Sequence, residues 1–361
     1  MNCAFLNHPK VLHFVSATAC VGAYYRLSAH ASSEDDPSTS ISWCVHSITK
    51  CESSLQSSPT QAPEIRPSFM QRTLAFLRIS SLSIPRTILP NDPSLTLSAR
   101  HKRQRSRCDQ QLMQIQSEMQ QKLQNPGKNP QKEITSLVEK SYEILYGPHL
   151  MPVDRQNFLQ QYGCTGWTEE VIVTLLGLGA TRGFVEIGAG NGQWARVLND
   201  RYQESEYAER APKKAFEFCL AFDDMSALPL NPAVYHARTK AFHDFFYHNV
   251  QPCESIHQVL NQWQCRGRIL LLVYPSPDSD MAVNALEEYT NAWPLNDTVV
   301  YVGEGRGGAN ANDKFFDFLE NGDWILANIL PVRVFGTKGF EQLYVLRRKN
   351  RNNVKVSNTL N

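Results

Sequence analysis

A chain of 361 residues with 42% hydrophobic and 10% aromatic side chains can bury one full-sized core and leave material over, so one domain plus an extension is expected. Thirty-six Lys and Arg against 35 Asp and Glu give a formal net charge of +1. This excludes a whole-chain field for nucleic acid or an anionic membrane, and any such partner has to meet a local patch.

Nine cysteines, odd in number and without a C-x-x-C pair, argue for reduced thiols in a non-oxidising compartment. No run reaches the ~18 consecutive apolar residues of a bilayer span. The expectation is a soluble intracellular protein, cytoplasmic or organellar if its N-terminal extension is a targeting segment.

Residues 1–132 are dominated by Ser, Thr, Pro and Gln and read as a disordered or targeting extension. Residues 1–33 carry no acid, hold an apolar stretch at 11–25 and reach Ala29-His30-Ala31, the small-x-small shape of a signal cleavage site. Residues 65–91 also lack acids and space Arg66, Arg72, Arg78 and Arg86 among Ser and Leu, as transit peptides do. The run 100–107 places five Lys or Arg in eight positions, which reads as a phosphate-binding or nuclear-import patch or as a solvated charge run. It is the sequence's one route to a nucleic-acid partner. Leu112, Ile115, Met119 and Leu123 then predict a short helix over 109–124, stopped by Asn125-Pro126-Gly127.

A domain is expected over 133–349, followed by a polar tail at 350–361. Leu137, Ser141, Ile144 and Leu145 mark one helix, ended by Gly147-Pro148. Thr168 is a suitable N-cap for a second, with Glu169 and Glu170 at the positive end of its dipole. Strands are predicted at 183–187, 215–222, 268–274, 298–302, 324–329 and 342–346, with helices at 193–201, 281–289 and 313–319 between them. The run 268–274 is apolar without alternation, as a strand covered on both faces requires. The alternation predicts an α/β fold with a doubly wound, mostly parallel sheet.

The stretch Phe184-Val185-Glu186-Ile187-Gly188-Ala189-Gly190-Asn191-Gly192-Gln193 reads as strand, glycine turn, helix. Gly188 permits a sharp turn, Gly190 a close approach of backbone to ligand, and Gly192 opens a helix whose free N–H groups face the site. The product is a nucleotide-sized cradle. Dinucleotide folds use G-x-G-x-x-G, and here Gln193 stands where their third glycine belongs.

With Glu186 two residues before Gly188, the pattern [D/E]-x-G-x-G-x-G resembles the first motif of class I S-adenosylmethionine-dependent methyltransferases, over roughly 165–349. The resemblance implies a Rossmann-like, seven-stranded sheet and S-adenosylmethionine as cofactor, held by Glu186, Gly188, Ala189, Gly190, Asn191 and Gly192. It also implies an acid at the end of the second strand that takes both ribose hydroxyls. Asp223 is preferred to Asp224, with 202–212 read as an insertion that lengthens the interval.

The fourth strand runs into Tyr274-Pro275-Ser276-Pro277, where the family's active-site loop begins. Amine-modifying members carry [D/N/S]-P-P-[Y/F/W] there; only Pro275 matches, so an amine acceptor does not follow. Tyr274 and Pro275 are placed against the cofactor, and Tyr274 and Glu304 are the candidate bases. Glu304 and Arg306 are equally readable as solvated loop charges. Together with Val302-Gly303-Glu304, these motifs resemble a methyltransferase-like group for which no acceptor is implied.

The implied activity is therefore methyl transfer to an unidentified acceptor. The degenerate 274–277 motif supplies the alternative, a catalytically inactive methyltransferase-like binding or scaffold protein. His236, His243 and His248 form no H-x-x-x-H with a nearby acid, so no metal site is expected. Nothing in the sequence sets the oligomeric state.

Overall fold

The computed structural model describes residues 85–125, 127, 129–210, 217–224, 247–336 and 339–349. The signal-like stretch, most of the transit-like segment, His236, His243 and the tail at 350–361 lie outside them.

Eight strands are found among the described residues: β1 (Arg86–Thr87), β2 (Phe184–Ile187), β3 (Cys219–Asp223), β4 (Val250–Pro252), β5 (Ile269–Val273), β6 (Thr298–Gly303), β7 (Trp324–Pro331) and β8 (Gln342–Arg348). The helices are α1 (Ala99–Gln124), α2 (Pro130–Tyr146), α3 (Pro152–Tyr162), α4 (Glu169–Gly179), α5 (Gln193–Gln203), α6 (Glu206–Arg210), α7 (Ile256–Leu260), α8 (Met281–Ala292) and α9 (Asp313–Asn321). Thr168 caps α4 as expected, its side chain accepting from the Val171 N–H.

The strands form one sheet in the order β1-β7-β8-β6-β5-β2-β3-β4. From β4 to β6 every pairing is parallel. Counted from β2, these five strands have the 3-2-1-4-5 order of doubly wound nucleotide folds. The sheet then departs from the all-parallel dinucleotide plan, because β8 enters antiparallel between β6 and β7, and β1 pairs antiparallel with β7. The expected seven strands are thus corrected to eight in a mixed sheet. Beyond the six spans read from the sequence, two strands were missed because β4 is a three-residue piece with one apolar side chain and β1 is a two-residue piece inside an apparent linker.

Alternate residues serve opposite faces, as the pleat demands. Val185, Ile187, Leu270 and Leu272 join α7, α8 and α9 in one core, while Phe184, Ala221, Ile269 and Leu271 join α4 and α5 in the other. The unalternating run at 268–274 is buried on both sides for this reason.

The domain was expected over 133–349; among the described residues, the unit that carries the sheet also includes 85–112. Ile88 and Leu95 belong to the α8–α9 core and are about as buried as any strand residue. The Leu95 carbonyl accepts from Arg306 N, and Leu97 N donates to the Arg306 carbonyl. A Cβ on Gly305 would lie 2.7 Å from the Leu95 carbonyl oxygen, so glycine is what permits this approach. Composition concealed the segment because a handful of buried side chains is diluted by the polar residues around them.

Leu95→Ala is expected to destabilise the protein by about 2–5 kcal/mol, the range for truncating a buried leucine. Urea unfolding monitored by circular dichroism measures it, and an effect below about 0.5 kcal/mol, the surface range, would place Leu95 outside the core.

The helix expected over 109–124 begins earlier, at Ala99, with the Ser98 side chain accepting from the His101 N–H. The stretch read as an insertion after α5 holds α6 in its described part. Between the end of α1 and the start of α2, Lys122 Nζ lies 2.6 Å from Glu133 Oε2.

Candidate active site at the strand ends

Parallel strands gather their C-terminal ends along one edge, and a crevice opens where neighbouring connections leave to opposite faces. Here that point lies between β2 and β5, and the glycine loop follows β2 directly. Gly188, Gly190 and Gly192 all take positive φ, at 75°, 55° and 74°.

The loop is anchored from several sides. The N–H groups of Gly188 and Ala189 both donate to the Phe222 carbonyl at 2.9 and 3.0 Å. Gly190 N donates to Asp223 Oδ2 at 2.7 Å, and the Asn191 carbonyl accepts from Tyr247 N at 2.9 Å. A Cβ on Gly192 would stand 2.5 Å from Val250 Cγ2 and 2.8 Å from Tyr247 Cβ, so this turn tolerates no side chain.

The structure therefore brings together Glu186, the loop from Gly188 to Gly192, and Asp223. Asp223 is the last residue of β3 and is buried, whereas Asp224 is exposed. The Asn191 side chain is fully buried, yet neither its Oδ1 nor its Nδ2 has a hydrogen-bond partner. A buried, unpaired amide in a glycine loop fits a bound polar ligand better than a closed structural turn. Gln193 fills the place of the third dinucleotide glycine, is buried, and donates from Nε2 to the Leu159 carbonyl of α3 at 3.2 Å. These residues fit an adenosyl ligand with a ribose diol, and Gln193 takes the position where the dinucleotide motif needs a glycine for close helix–strand packing.

Glu186 is 1% exposed, and its Oε2 has no partner. Burial pushes its carboxyl up to about 8, against a smaller opposite pull from the Ala195 N–H, with Asp223 adding to the rise. The folded state therefore binds a proton that the unfolded chain releases near 4.5. By linkage, this contribution is fully present below pH 4.5 and is lost as the pH rises through about 8. Glu186→Gln, which mimics the protonated form, should flatten that decline. Urea midpoints measured across this interval check it, and parallel curves for the two proteins would refute a raised carboxyl.

Tyr274 follows β5 with φ at 52°, and its N–H donates to the Val302 carbonyl at 2.7 Å. The Pro275 carbonyl accepts from Ala311 N at 2.9 Å, which ties the β5 loop to the β6 loop. Desolvation holds the Tyr274 phenol well above its ordinary value, with Cys164 and Glu341 adding to the rise and Arg155 opposing it.

Glu304 follows β6 and is buried; its Oε2 accepts from the Arg105 guanidinium and from Ala309 N. Arg306 reaches Asp317 and Glu320 on α9 at 2.8 and 3.1 Å, so its charge is met by this chain's own carboxylates.

Sequence reading did not single out Glu341, Arg155, Cys164 or Arg105. Glu341 carries a buried Oε2 without a partner, and burial pushes its carboxyl up to about 7. No spacing announces these residues, because they come from α1, α3, the segment before α4 and the residue just before β8. Among the described residues, no cluster of three or more His, Cys, Asp or Glu is arranged to hold a metal ion, and no helix is long and apolar enough to cross a membrane.

No family model and no curated protein match the chain. Solved structures similar to it include the mitomycin 7-O-methyltransferase MmcR, at 13% identity and TM-score 0.29, covering 77% of this chain and 83% of that one. The magnesium protoporphyrin IX methyltransferase ChlM of Synechocystis PCC 6803 with bound SAM matches at 12% and 0.32, over 59% and 96% of the two chains. LepI in complex with SAM matches at 12% and 0.31, over 92% and 99%. Overlaps of this size carry no weight for function, which has to be read from the loop and its neighbours.

Proposed function

We propose that the chain is a class I S-adenosylmethionine-dependent methyltransferase acting on an unidentified acceptor. The observation that supports this most is the glycine loop at the switch point, joined by a buried Asp223 that bonds the Gly190 N–H from the neighbouring strand end. A carboxylate there presents acceptor oxygens toward a ribose diol. Gly190 leaves the backbone open to close approach, and the start of α5 turns its N–H groups toward the site.

When bound, the cofactor supplies an electrophilic methyl on a sulfonium. The protein's task is then to orient an acceptor in line with it and to exclude water. In this reading Tyr274 keeps its proton and positions the acceptor by hydrogen bonding, while Pro275 stiffens the loop that carries it. Glu304, gripped by Arg105, holds the β6 loop against the strand ends. An acceptor that has to lose a proton needs a base, and Glu341, whose buried Oε2 has no hydrogen-bond partner and whose carboxyl is pushed up to about 7, is the candidate to take it.

Titration calorimetry of the full chain with S-adenosylmethionine, its demethylated product and NAD tests the proposal. The two sulfur ligands should bind with dissociation constants on the order of micromolar, and NAD should not bind. Binding of NAD with no response to either sulfur ligand would overturn the reading.

A further inference from the structure

The basic run at 100–107 becomes the first two turns of α1, and the helix sorts its charges by direction. Arg105 turns inward to Glu304, and the His101 ring stacks on Phe340 at 4.0 Å between centroids. Arg100, Arg103 and Arg107 remain exposed. Steps of three and four residues keep these three on one face, and Arg105 lies about 140° around the helix from Arg100. With Gln104, Cys108 and Gln111, the three arginines line a shallow groove of about 390 Å³. Seven residues at 1.5 Å each spread the guanidinium groups over about 10 Å, enough to follow successive phosphates of one strand.

We infer that this face of α1 binds the phosphate backbone of a nucleic-acid strand. The composition of the groove decides among anionic partners. A protein interface is built around apolar and aromatic anchors, with charge kept to its rim, and the groove offers none. An amphipathic membrane helix needs Trp, Phe or Leu to insert beside its basic residues, and residues 100–111 contain no such side chain. Guanidinium groups alternating with side-chain amides match the polar, strongly positive surfaces that hold phosphates. The net charge of +1 makes this a local feature, as the composition required. Because the inner side of the same helix grips Glu304, a bound strand would lie beside the edge that carries the candidate active site. The inference does not depend on the methyl-transfer reading.

Fluorescence anisotropy of the full chain with a labelled oligo-uridylate, across a KCl series, tests it. Three contacts to a single strand give a log–log salt slope of about −2, so affinity should fall about twentyfold between about 50 and 200 mM salt. The R100Q/R103Q/R107Q triple variant should bind weakly with a slope near zero, and each single variant should lower the slope by about 0.7. A K132Q/K140Q variant, which removes charge elsewhere, should behave as wild type. The inference is overturned by absent binding at low salt, by an unchanged slope in the triple variant, or by displacement of the RNA by polyglutamate at equal charge concentration.

Discussion

Gly190→Val should abolish measurable binding of S-adenosylmethionine, a loss greater than about a hundredfold, while the far-ultraviolet circular dichroism of the protein is retained. Gly190 sits at φ 55°, a conformation that costs an L-residue about 1–2 kcal/mol and a β-branched one more. Relieving that strain moves the backbone, and with it the N–H that Asp223 holds. The new side chain also occupies the surface along which a ligand approaches. The sheet should survive, because its cores on both faces are made by strand and helix side chains. Gly192→Ala is the informative contrast, since its Cβ would collide with Val250 and Tyr247 and the variant should lose stability as well as binding. Calorimetry on a folded Gly190→Val protein that still binds within about threefold of wild type would remove the loop from the site.

Asp223→Ala should weaken cofactor binding by about 1.5–3 kcal/mol, the range for charge-assisted hydrogen bonds, which is roughly ten- to a hundredfold. Two effects combine: the ribose diol loses its acceptor, and the Gly190 N–H loses the carboxylate that fixes it. Asp224→Ala should cost much less, because successive side chains at a strand end point to opposite faces and Asp224 is the exposed one. Equilibrium titration of the two variants separates them. A larger effect at Asp224 would shift the ribose contact by one residue, and no effect at either in a protein that still binds would remove the β3 end from the cofactor site.

What the sequence determined by itself is the doubly wound pattern and the loop. The strands at 184–187, 269–273 and 298–303 were legible because burial on both faces demands continuous apolar runs, a constraint local to each strand, and those at 324–331 and 342–348 through their shorter apolar stretches. The loop was legible because a backbone at positive φ with no room for a Cβ leaves glycine as the residue that fits. Asp223 was singled out by the resemblance, which expects an acid at the end of the second strand, and the structure places it as the last residue of β3.

Tertiary structure decided the rest. Whether β8 runs with or against β6 depends on pairing between strands distant in sequence, which hydropathy does not record. The segment from Arg86 to Leu97 joins the core through a few side chains and a carbonyl packed on Gly305, contacts invisible to composition. The ion pair of Arg105 with Glu304, and the meeting of Glu341 and Arg155 near Tyr274, unite residues that are far apart along the chain. Their ionisation follows from desolvation and neighbouring charge, which exist only once the chain has folded.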